Sequence, residues 1–526
     1  MNRRSCLKKT ACLTGAAGLS ALWPSPNRVD ADAFAQQVPV EQTPRGPAQG
    51  PLRVLKSNPR YFSDGSGKAI YLAGSHSWWN LQDNGIRLMS AENQDPPPIF
   101  DYNAHLDFLE KYNHNFFRLW RWEVPKWGED QPRGAIKYCQ PHPWARTGPG
   151  LARDGKPKFD LTKFNPEYFN RMRTRVAAAR DRGFYVSVML FEGWELEYTN
   201  AWTFHPFNGP NNVNGVFADS ALDLLPPEKP LHLPATAGED IEGLRSAHYG
   251  GAGYVGAGLT YNTPQDTPLG KRVLELQKAY VRQVIDTVND LDNVLYETCN
   301  EAGPYSTEWQ YHMIRYVKEY ESGKANQHPV GMTVQAPGSN ATLYESPADW
   351  ISPNPGGPTE NYLNDPSPAY IGKVIVNDTD HLCGHTCGDS TWVWKSFCRG
   401  LNVLLMEDLS PSPTWQDSAR IAMGQTRNWS QKIDLAHMVP DLRSEVSETK
   451  YCLTNRGQEY LVFQDGNKGE FTVNLSDAPG NFTAEWFNVN SGTTTNWKTV
   501  PGGGLRTFPT PFGGPAALHL KSVGGG

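Results

Sequence analysis

Residues 293–302 decide the fold, and they read Asn-Val-Leu-Tyr-Glu-Thr-Cys-Asn-Glu-Ala. Their apolar start is typical of a buried strand, and the two-residue strand period places Glu297 and Glu301 on one face. The strand ends at Asn300 beside Glu301, at the point where a parallel barrel carries its active site. An amide next to a carboxylic acid there predicts a general acid at the mouth of a barrel. From these residues alone, a surface turn after an ordinary strand is the open alternative.

On both sides of this segment, short apolar runs alternate with amphipathic helical stretches, which is the pattern of βα units in a parallel sheet. The apolar runs predict eight strands, at residues 69–73, 116–120, 185–191, 293–299, 330–334, 349–352, 374–377 and 402–406. Helical spacing predicts six helices, at residues 103–112, 169–183, 269–291, 309–320, 392–399 and 419–436. Eight strands is the number in a (β/α)8 TIM barrel, which is the fold class we expect.

The chain of 526 residues is too long for one ordinary core, which favours a second domain. After residue 438 the sequence changes to short β-prone runs separated by turns, which predicts a small antiparallel β-sandwich. Its predicted strands are residues 450–453, 459–464, 470–475, 483–488, 493–500 and 516–520. We therefore expect a catalytic barrel over residues 52–438 and an accessory sandwich over residues 439–523. Residues 192–270 are rich in Gly, Pro and Asn and predict a wall of the cleft.

The N-terminus has the features of an export signal. Arg3 and Arg4 precede an apolar run over residues 10–22 that is too short to span a bilayer. We expect residues 1–35 to be a twin-arginine signal and residues 36–51 a linker. The mature protein is then expected in the periplasm or outside the cell, without a membrane anchor.

Cysteine spacing in an exported chain is compatible with disulfides, and Cys383 with Cys387 is one candidate pair. Zinc held by these two cysteines with His381 and His385 is a less favoured alternative. Structural zinc sites usually have a second paired cluster elsewhere, and the sequence shows none.

Composition limits the class of partner. The net charge is −6 and no polybasic tract occurs, which argues against nucleic acid or an anionic membrane. The chain has 17 Trp, many beside polar residues at strand ends, and such surfaces suit a sugar ring. We expect a carbohydrate substrate, and the sequence carries no signal for an oligomeric state.

Candidate site residues lie where the predicted strands end, because a parallel barrel projects its functional groups from there. The candidates for substrate binding are His76, Trp78, Trp79, Arg118, Trp120, Glu192, Trp194, Asn300, His381 and Asp408. For each Trp, packing in the core is the alternative role.

Carboxyl groups at the strand ends also suit cleavage of a glycosidic bond. That reaction needs one acid to protonate the leaving oxygen and a second carboxylate across the sugar. Glu301 is the expected acid, opposed by Asp380 or Asp378. Arg118 could keep the second carboxylate ionised, since a nearby cation lowers the pKa of an acid. A structural ion pair is the alternative role for Arg118.

The strand-four segment, together with Phe-Phe-Arg-Leu-Trp at residues 116–120, resembles the clan A (cellulase-like) glycoside hydrolases. Residues 58–79 (Asn-Pro-Arg-Tyr-Phe-Ser-Asp-Gly-Ser-Gly-Lys-Ala-Ile-Tyr-Leu-Ala-Gly-Ser-His-Ser-Trp-Trp) and 485–492 (Glu-Trp-Phe-Asn-Val-Asn-Ser-Gly) are more specifically similar to the apiosidase-like branch. Members of that branch often carry a C-terminal domain of collagen-binding type. The resemblance covers nearly all of residues 52–521.

The resemblance implies a retaining mechanism without a cofactor. Glu301 matches the acid/base of the family, Asn300 the neighbour that contacts the sugar 2-hydroxyl, and Arg118 the strand-two arginine. The strand-seven nucleophile of the clan is normally Glu, whereas the best match here is Asp380. Asp378 and Glu407 remain alternative nucleophiles.

The sequence thus predicts an exported glycoside hydrolase that acts on plant or microbial polysaccharide. A non-catalytic carbohydrate-binding protein on a degenerate barrel is one rival, which the Asp at strand seven keeps open. A metal-dependent hydrolase that uses His76, Asp378, Asp380 and His381 is a second rival. Such barrels commonly carry His-x-His on their first strand, and this sequence lacks it.

Overall fold

The computed structural model describes residues 40–43, 45–84, 95–127, 136–197, 201–217, 261, 268–336, 338–356, 360–369, 372–407, 414–467 and 469–524. The predicted export signal lies outside the described residues, as does the start of the predicted linker. Within the described part of the chain, every helix is too short or too polar to cross a membrane.

Eight parallel strands form the central sheet of the molecule. They are Ala73–His76, Phe116–Leu119, Tyr185–Glu192, Val294–Asn300, Val330–Thr333, Trp350–Ser352, Val374–Asp378 and Asn402–Met406. The second to eighth strands pair in sequence order, and the eighth pairs with the first. The predicted eight-stranded barrel is confirmed, and so is the place of each strand, apart from the first.

The first strand begins four residues later than predicted, because Ile70 forms an isolated bridge with Phe62 and not with a barrel strand. The backbone N–H of Ile70 donates to Phe62, next to a short ribbon formed by Arg53–Val54 and Phe62–Ser63. The barrel then closes between its first two strands, where the N–H of Asn115 donates to the carbonyl of Ala73. A Cβ on Gly74 would lie 1.8 Å from the Phe116 carbonyl oxygen, so only glycine permits this closure.

Helices surround the sheet between its strands. The helices are Tyr102–Lys111, Pro166–Asp181, Ala201–Phe204, Pro268–Val288, Thr307–Ser322, Asn340–Glu345, Thr379–Cys383, Ser390–Cys398 and Asp417–Lys432. Each of the six predicted helices is present, with ends that differ by a few residues. Capping side chains explain several starts, such as Asn165, whose side chain accepts from the N–H of Glu167.

Insertions between the second and fourth strands form additional walls. An antiparallel hairpin joins Trp144–Leu151 to Pro157–Phe164, and a smaller ribbon joins Lys126–Trp127 to Lys137–Tyr138. Neither the hairpin nor the ribbon was predicted from the sequence. Most of the insertion predicted as a cleft wall lies outside the described residues.

The inside of the barrel changes from apolar to charged along its axis. Buried side chains fill its amino-terminal floor, among them Leu72, Phe116, Leu295, Trp350, Val374 and Leu404. Gly331 gives the ring of Trp350 its space, since a Cβ there would lie 2.0 Å from that ring. Above this floor, Arg118 and Glu297 form a buried ion pair. The polar layer places the site at the carboxyl ends of the strands.

A β-sandwich follows the barrel. Its strands are Val439–Pro440, Tyr451–Asn455, Glu459–Gln464, Glu470–Asn474, Asn481–Asn488, Thr493–Pro501, Leu505–Pro509 and Ala516–Ser522. Six of them form one antiparallel sheet, and Glu470–Asn474 pairs with Leu505–Pro509 in a ribbon that covers its core. The predicted sandwich is confirmed, together with six of its strands. Leu505–Pro509 was missed because its alternate side chains are exposed and a Gly run precedes it.

Candidate active site

Arg118 is the centre of the polar layer. It lies on the second strand and is buried, with Nε 2.7 Å from Glu297 and separate Nη atoms 2.9 Å from Asp378 and from Asp380. Burial alone would lower the pKa of Arg118, but the three carboxylates raise it above the ordinary value. One guanidinium therefore binds three carboxylates. Glu297 lies on the fourth strand, Asp378 at the end of the seventh, and Asp380 in the turn that follows.

Asp378 and Asp380 differ in exposure and in pKa. Asp378 ends the seventh strand, is fully buried, and its Oδ1 accepts from the N–H of Asp380 at 3.0 Å. Burial would raise the pKa of Asp378, yet Arg118 and His76 lower it below the ordinary value. Burial raises the pKa of Asp380, and Asp378 adds to the rise while Arg118 opposes it. Only Asp380 of the two is partly exposed, so it can meet a ligand in the cleft.

Glu301 follows the fourth strand in a left-handed backbone conformation. Its φ of 46° is uncommon for a residue with a side chain and is typical of functional sites. Carboxylate oxygens of Glu301 and Asp380 lie within 4.8 Å of each other and of a ring nitrogen of His381. Burial, then the charges of Asp380 and Glu192, raise the pKa of Glu301 well above the ordinary value. A raised pKa favours the protonated form of Glu301, which is the form that a general acid needs.

A line of hydrogen bonds crosses the mouth of the barrel beside this pair. The Ser352 hydroxyl lies 2.6 Å from His381 Nδ1, and His381 Nε2 lies 3.1 Å from Asn300 Oδ1. Asn300 Nδ2 then donates to Glu192 at 3.0 Å. Burial, followed by the charge of Arg118, lowers the pKa of His381 to about 3, so its ring is neutral. The line holds the amide of Asn300 next to Glu301.

Glu192 faces this network and not the open cleft. Its carboxylate is fully buried and also accepts backbone N–H groups of Trp194 and Glu195. Burial raises its pKa to about 8, and the hydrogen bond from Asn300 opposes the rise. The substrate contact expected for Glu192 stays a prediction, since its carboxylate here binds Asn300 and two backbone N–H groups.

Aromatic rings line the side of the first and second strands. His76 stacks on Trp120 with ring centroids 5.7 Å apart, and His76 Nε2 lies 3.6 Å from Asp378. Both rings are buried, so they support the acids from behind. Trp78 packs against Trp120 and Trp194, and Trp79 against Phe100. Trp79 and Trp194 are the partly exposed members of the cluster.

Glu407 and Asp408 complete the candidates. Glu407 follows the eighth strand and is held by Arg420, whose guanidinium forms an ion pair with it at 2.5 Å. This pairing takes Glu407 out of the Arg118 cluster, whose aspartates are Asp378 and Asp380. Asp408 lies outside the described residues.

The donor set does not fit a metal centre. His76, Asp378 and Asp380 offer atoms within 4.8 Å of one another, and so do Glu301, Asp380 and His381. The Nη atoms of Arg118 already contact both aspartates, and a divalent cation there would meet a fixed guanidinium at close range. The zinc alternative near residue 383 is wrong, because Cys383 and Cys387 form a disulfide. That pairing confirms the predicted disulfide.

Three residues behind the site were missed as supports. Ser352 orients His381, Glu195 accepts the N–H of Glu123 through a buried carboxylate, and Glu123 pairs with Arg121 at 2.7 Å. The signal for Ser352 was its position at the end of the sixth strand, on the side that faces into the barrel. No sequence pattern linked Glu195 to the backbone of another loop.

Two solved structures share the architecture of the chain. A protein described as a glycoside hydrolase has a TM-score of 0.53 at 11% identity, over 90% of this chain and 97% of that one. A glycoside hydrolase family 5 protein from Bacteroides vulgatus ATCC 8482 has a TM-score of 0.53 at 11% identity, over 90% and 93% of the two chains. At such low identity the similarity establishes the fold alone.

The C-terminal domain matches a described family. Residues 439–516 match the family model described as "Putative collagen-binding domain of a collagenase". This agrees with the collagen-binding type expected for the sandwich. No curated protein matches the chain significantly.

Proposed function

We propose that the protein is a retaining glycoside hydrolase of clan A, of the apiosidase-like branch, with Glu301 as acid/base and Asp380 as nucleophile. The spacing of these two carboxylates carries the proposal. Their oxygens lie no more than 4.8 Å apart, which is compatible with the separation of about 5 Å in retaining enzymes. Inverting enzymes need roughly 6.5–9.5 Å, so that a water molecule fits between carboxylate and sugar.

The charges suit the first chemical step. Asp380, ionised beside Arg118, attacks the anomeric carbon, while protonated Glu301 gives its proton to the leaving oxygen. The glycosidic bond breaks as the bond from Asp380 to the sugar forms. The leaving sugar departs as an alcohol.

The second step reverses these roles. Glu301, now ionised, takes a proton from water as the water attacks the anomeric carbon. The bond to Asp380 breaks, and its carboxylate returns to Arg118. The sugar leaves with its original anomeric configuration, and no cofactor is needed.

Partly exposed Trp79 and Trp194 support a carbohydrate ligand, because aromatic faces beside hydrogen-bonding groups suit sugar rings. We propose a plant or microbial polysaccharide as substrate and Asn300 as the contact to the sugar hydroxyl nearest the anomeric carbon. We also propose export through residues 1–35, in line with the twin-arginine pattern.

The test is a screen of polysaccharides and 4-nitrophenyl glycosides with the wild-type protein and Glu301→Gln. We expect kcat on the best polysaccharide to fall by at least about a hundredfold in Glu301→Gln, because the leaving oxygen loses its proton donor. A 4-nitrophenolate leaving group needs less protonation, so its release falls less. Binding without turnover would favour the non-catalytic rival, whereas equal turnover by wild type and variant on every substrate would rule out Glu301 as the acid.

A further inference from the structure

The turn that carries Asp380 is a very short helix closed by a disulfide. The helix Thr379–Cys383 has five residues, and the disulfide joins its last residue to Cys387. A helix of this length is not stable on its own, since nucleation costs more than so few hydrogen bonds return. Its geometry therefore depends on attachments at its two ends.

The start of the turn is fixed to the barrel. Asp378 caps it by accepting the N–H of Asp380 at 3.0 Å, and the Thr379 hydroxyl accepts the N–H of Met406 at 2.8 Å. The eighth strand therefore holds the first residue of the turn. Nothing in these contacts fixes the position of the turn's last residue.

The end of the turn is a reversal of the chain. Gly384 has φ 64°, and a tight turn over Gly384–Thr386 leads back to Cys387. Gly388 follows with φ 97°, and a Cβ there would lie 3.1 Å from the Thr379 side chain. The disulfide thus closes a small loop, and Gly388 sits directly against the start of the helix.

Asp380 and His381 lie between these two anchors. Asp380 bonds Arg118 at 2.9 Å, and His381 contacts Ser352 and Asn300. Cys383 and Cys387 are partly exposed. The other described cysteines are buried and unpaired, namely Cys139, Cys299, Cys398 and Cys452. Within the described part of the chain, a reductant therefore has one disulfide to act on.

We propose that the Cys383–Cys387 disulfide positions Asp380 for its attack, and that a dithiol reductant lowers the rate of glycosyl transfer by opening it. The inference rests on the proposed function for its kinetic part. In the redox step the S–S bond takes two electrons and two protons from the dithiol and becomes two thiols. The dithiol becomes a cyclic disulfide, so the step is balanced.

The kinetic test compares the oxidised wild type with the same protein after dithiothreitol. Misplacement of a reacting group by a fraction of an ångström is costly, so we expect kcat to fall about tenfold with KM within about twofold. Removal of the reductant and reoxidation restores kcat. The double variant Cys383→Ser/Cys387→Ser has the low rate from the start and does not respond to dithiothreitol. An unchanged kcat on reduction overturns the proposal.

A second experiment separates positioning of Asp380 from general support of the fold. In Asp380→Gly, sodium azide replaces the missing nucleophile and attacks from solution. We expect the azide-dependent rate to be the same with and without dithiothreitol, because no positioned carboxylate remains to be displaced. A tenfold loss in the azide-rescued variant as well would mean that the disulfide acts elsewhere, which contradicts the proposal.

Hydrogen exchange tests the positioning without any substrate. We expect amides of residues 379–388 to exchange faster in the reduced wild type, with exchange in the other barrel strands unchanged. The same protection in both redox states overturns the proposal. Because this measurement needs no turnover, loss of the proposed activity and loss of this inference can be told apart.

Discussion

At the scale of single residues, one guanidinium organises the site. Arg118 binds Glu297, Asp378 and Asp380 through separate nitrogens, and only Asp380 of the three is partly exposed. The fork of an arginine can reach several carboxylates at once, whereas a lysine is a point charge. The geometry of Asp380 therefore depends on the shape of Arg118 as well as on its charge.

Arg118→Lys keeps the charge and loses the fork. We expect kcat/KM to fall by at least about a hundredfold, while the free energy of unfolding falls by no more than about 2 kcal/mol. Arg118→Met leaves three carboxylates unpaired and costs about 3–5 kcal/mol. Kinetics and urea unfolding of both variants measure this. Wild-type rates in Arg118→Lys would contradict the role of the fork.

Residue identities at strand ends were predictable, whereas their contacts across the barrel were not. The parallel topology alone predicts that Glu301, Asn300 and Arg118 lie at the mouth of the barrel. The proposal of Asp380 over Asp378 as nucleophile is supported by where the seventh strand ends. Asp378 is the last residue of that strand and is the buried N-cap of the helix that follows. No periodicity in the sequence carries that information.

At the scale of elements, two neighbouring loops fix the position of Glu301. The loop after the third strand passes Gly193, whose N–H donates to the Asn300 carbonyl at 2.8 Å. A Cβ on Gly193 would lie 2.6 Å from the Cβ of Ala302. The absence of a side chain at residue 193 thus lets the third and fourth strands present Glu192 and Glu301 together.

Gly193→Ala should move the loop that carries Glu301. We expect kcat to fall about tenfold or more, because the acid shifts relative to the leaving oxygen, with a loss of about 1–3 kcal/mol in unfolding free energy. Gly323→Ala is the matched control, since a Cβ there meets nothing within 4 Å. The control should keep wild-type kcat. A normal kcat in Gly193→Ala would disprove the tight packing of these loops.

The order of elements followed from the sequence because βα alternation has few solutions. The first strand was misplaced since Ile70 looks like a strand residue, but it forms only an isolated bridge with Phe62. The hairpin strand Trp144–Leu151 was missed because only one of its side chains is buried and the rest lack a regular alternation. Insertions of this kind follow no periodic rule.

At the scale of the whole molecule, a buried histidine of the sandwich lies against the last barrel helix, where its ring packs on Trp429. His519 Nε2 lies 2.7 Å from Glu459, and Nδ1 lies 2.7 Å from Glu485, so both ring nitrogens face carboxylates. Lys432 from the last barrel helix also binds Glu485, and Lys521 lies 3.6 Å from Glu459. Two acceptors on one imidazole require both nitrogens to carry hydrogen, which is the charged form.

This junction makes stability depend on pH. Burial alone would lower the pKa of His519, but Glu459 and Glu485 raise it above the ordinary value of about 6.5. The contribution of His519 is therefore complete below about pH 6.5 and is lost as the pH rises through the raised pKa of the folded state. Burial would raise the pKa of Glu485, but His519 and Lys432 lower it to about 2, so the acid partner stays ionised at pH 6.

His519→Phe keeps a ring against Trp429 and removes both donors. We expect the variant to lose about 3 kcal/mol of unfolding free energy at pH 6, because Glu459 and Glu485 each lose a charged hydrogen-bond donor and keep only their lysines. The difference from wild type should shrink at pH 10. Urea unfolding of both proteins at the two pH values measures it, and a difference that is constant with pH would rule out a charged His519.

Retaining hydrolysis requires Glu301 and Asp380 to act on the same anomeric carbon. The most direct measurement is mass spectrometry of the protein after reaction with an activated 2-deoxy-2-fluoro glycoside of the sugar that it releases. Such a reagent leaves the glycosyl group on the nucleophile. We predict one label, on the peptide that contains Asp380 and at that residue. A label on Asp378 or Glu407, or turnover with inversion and no label at all, would contradict the central claim.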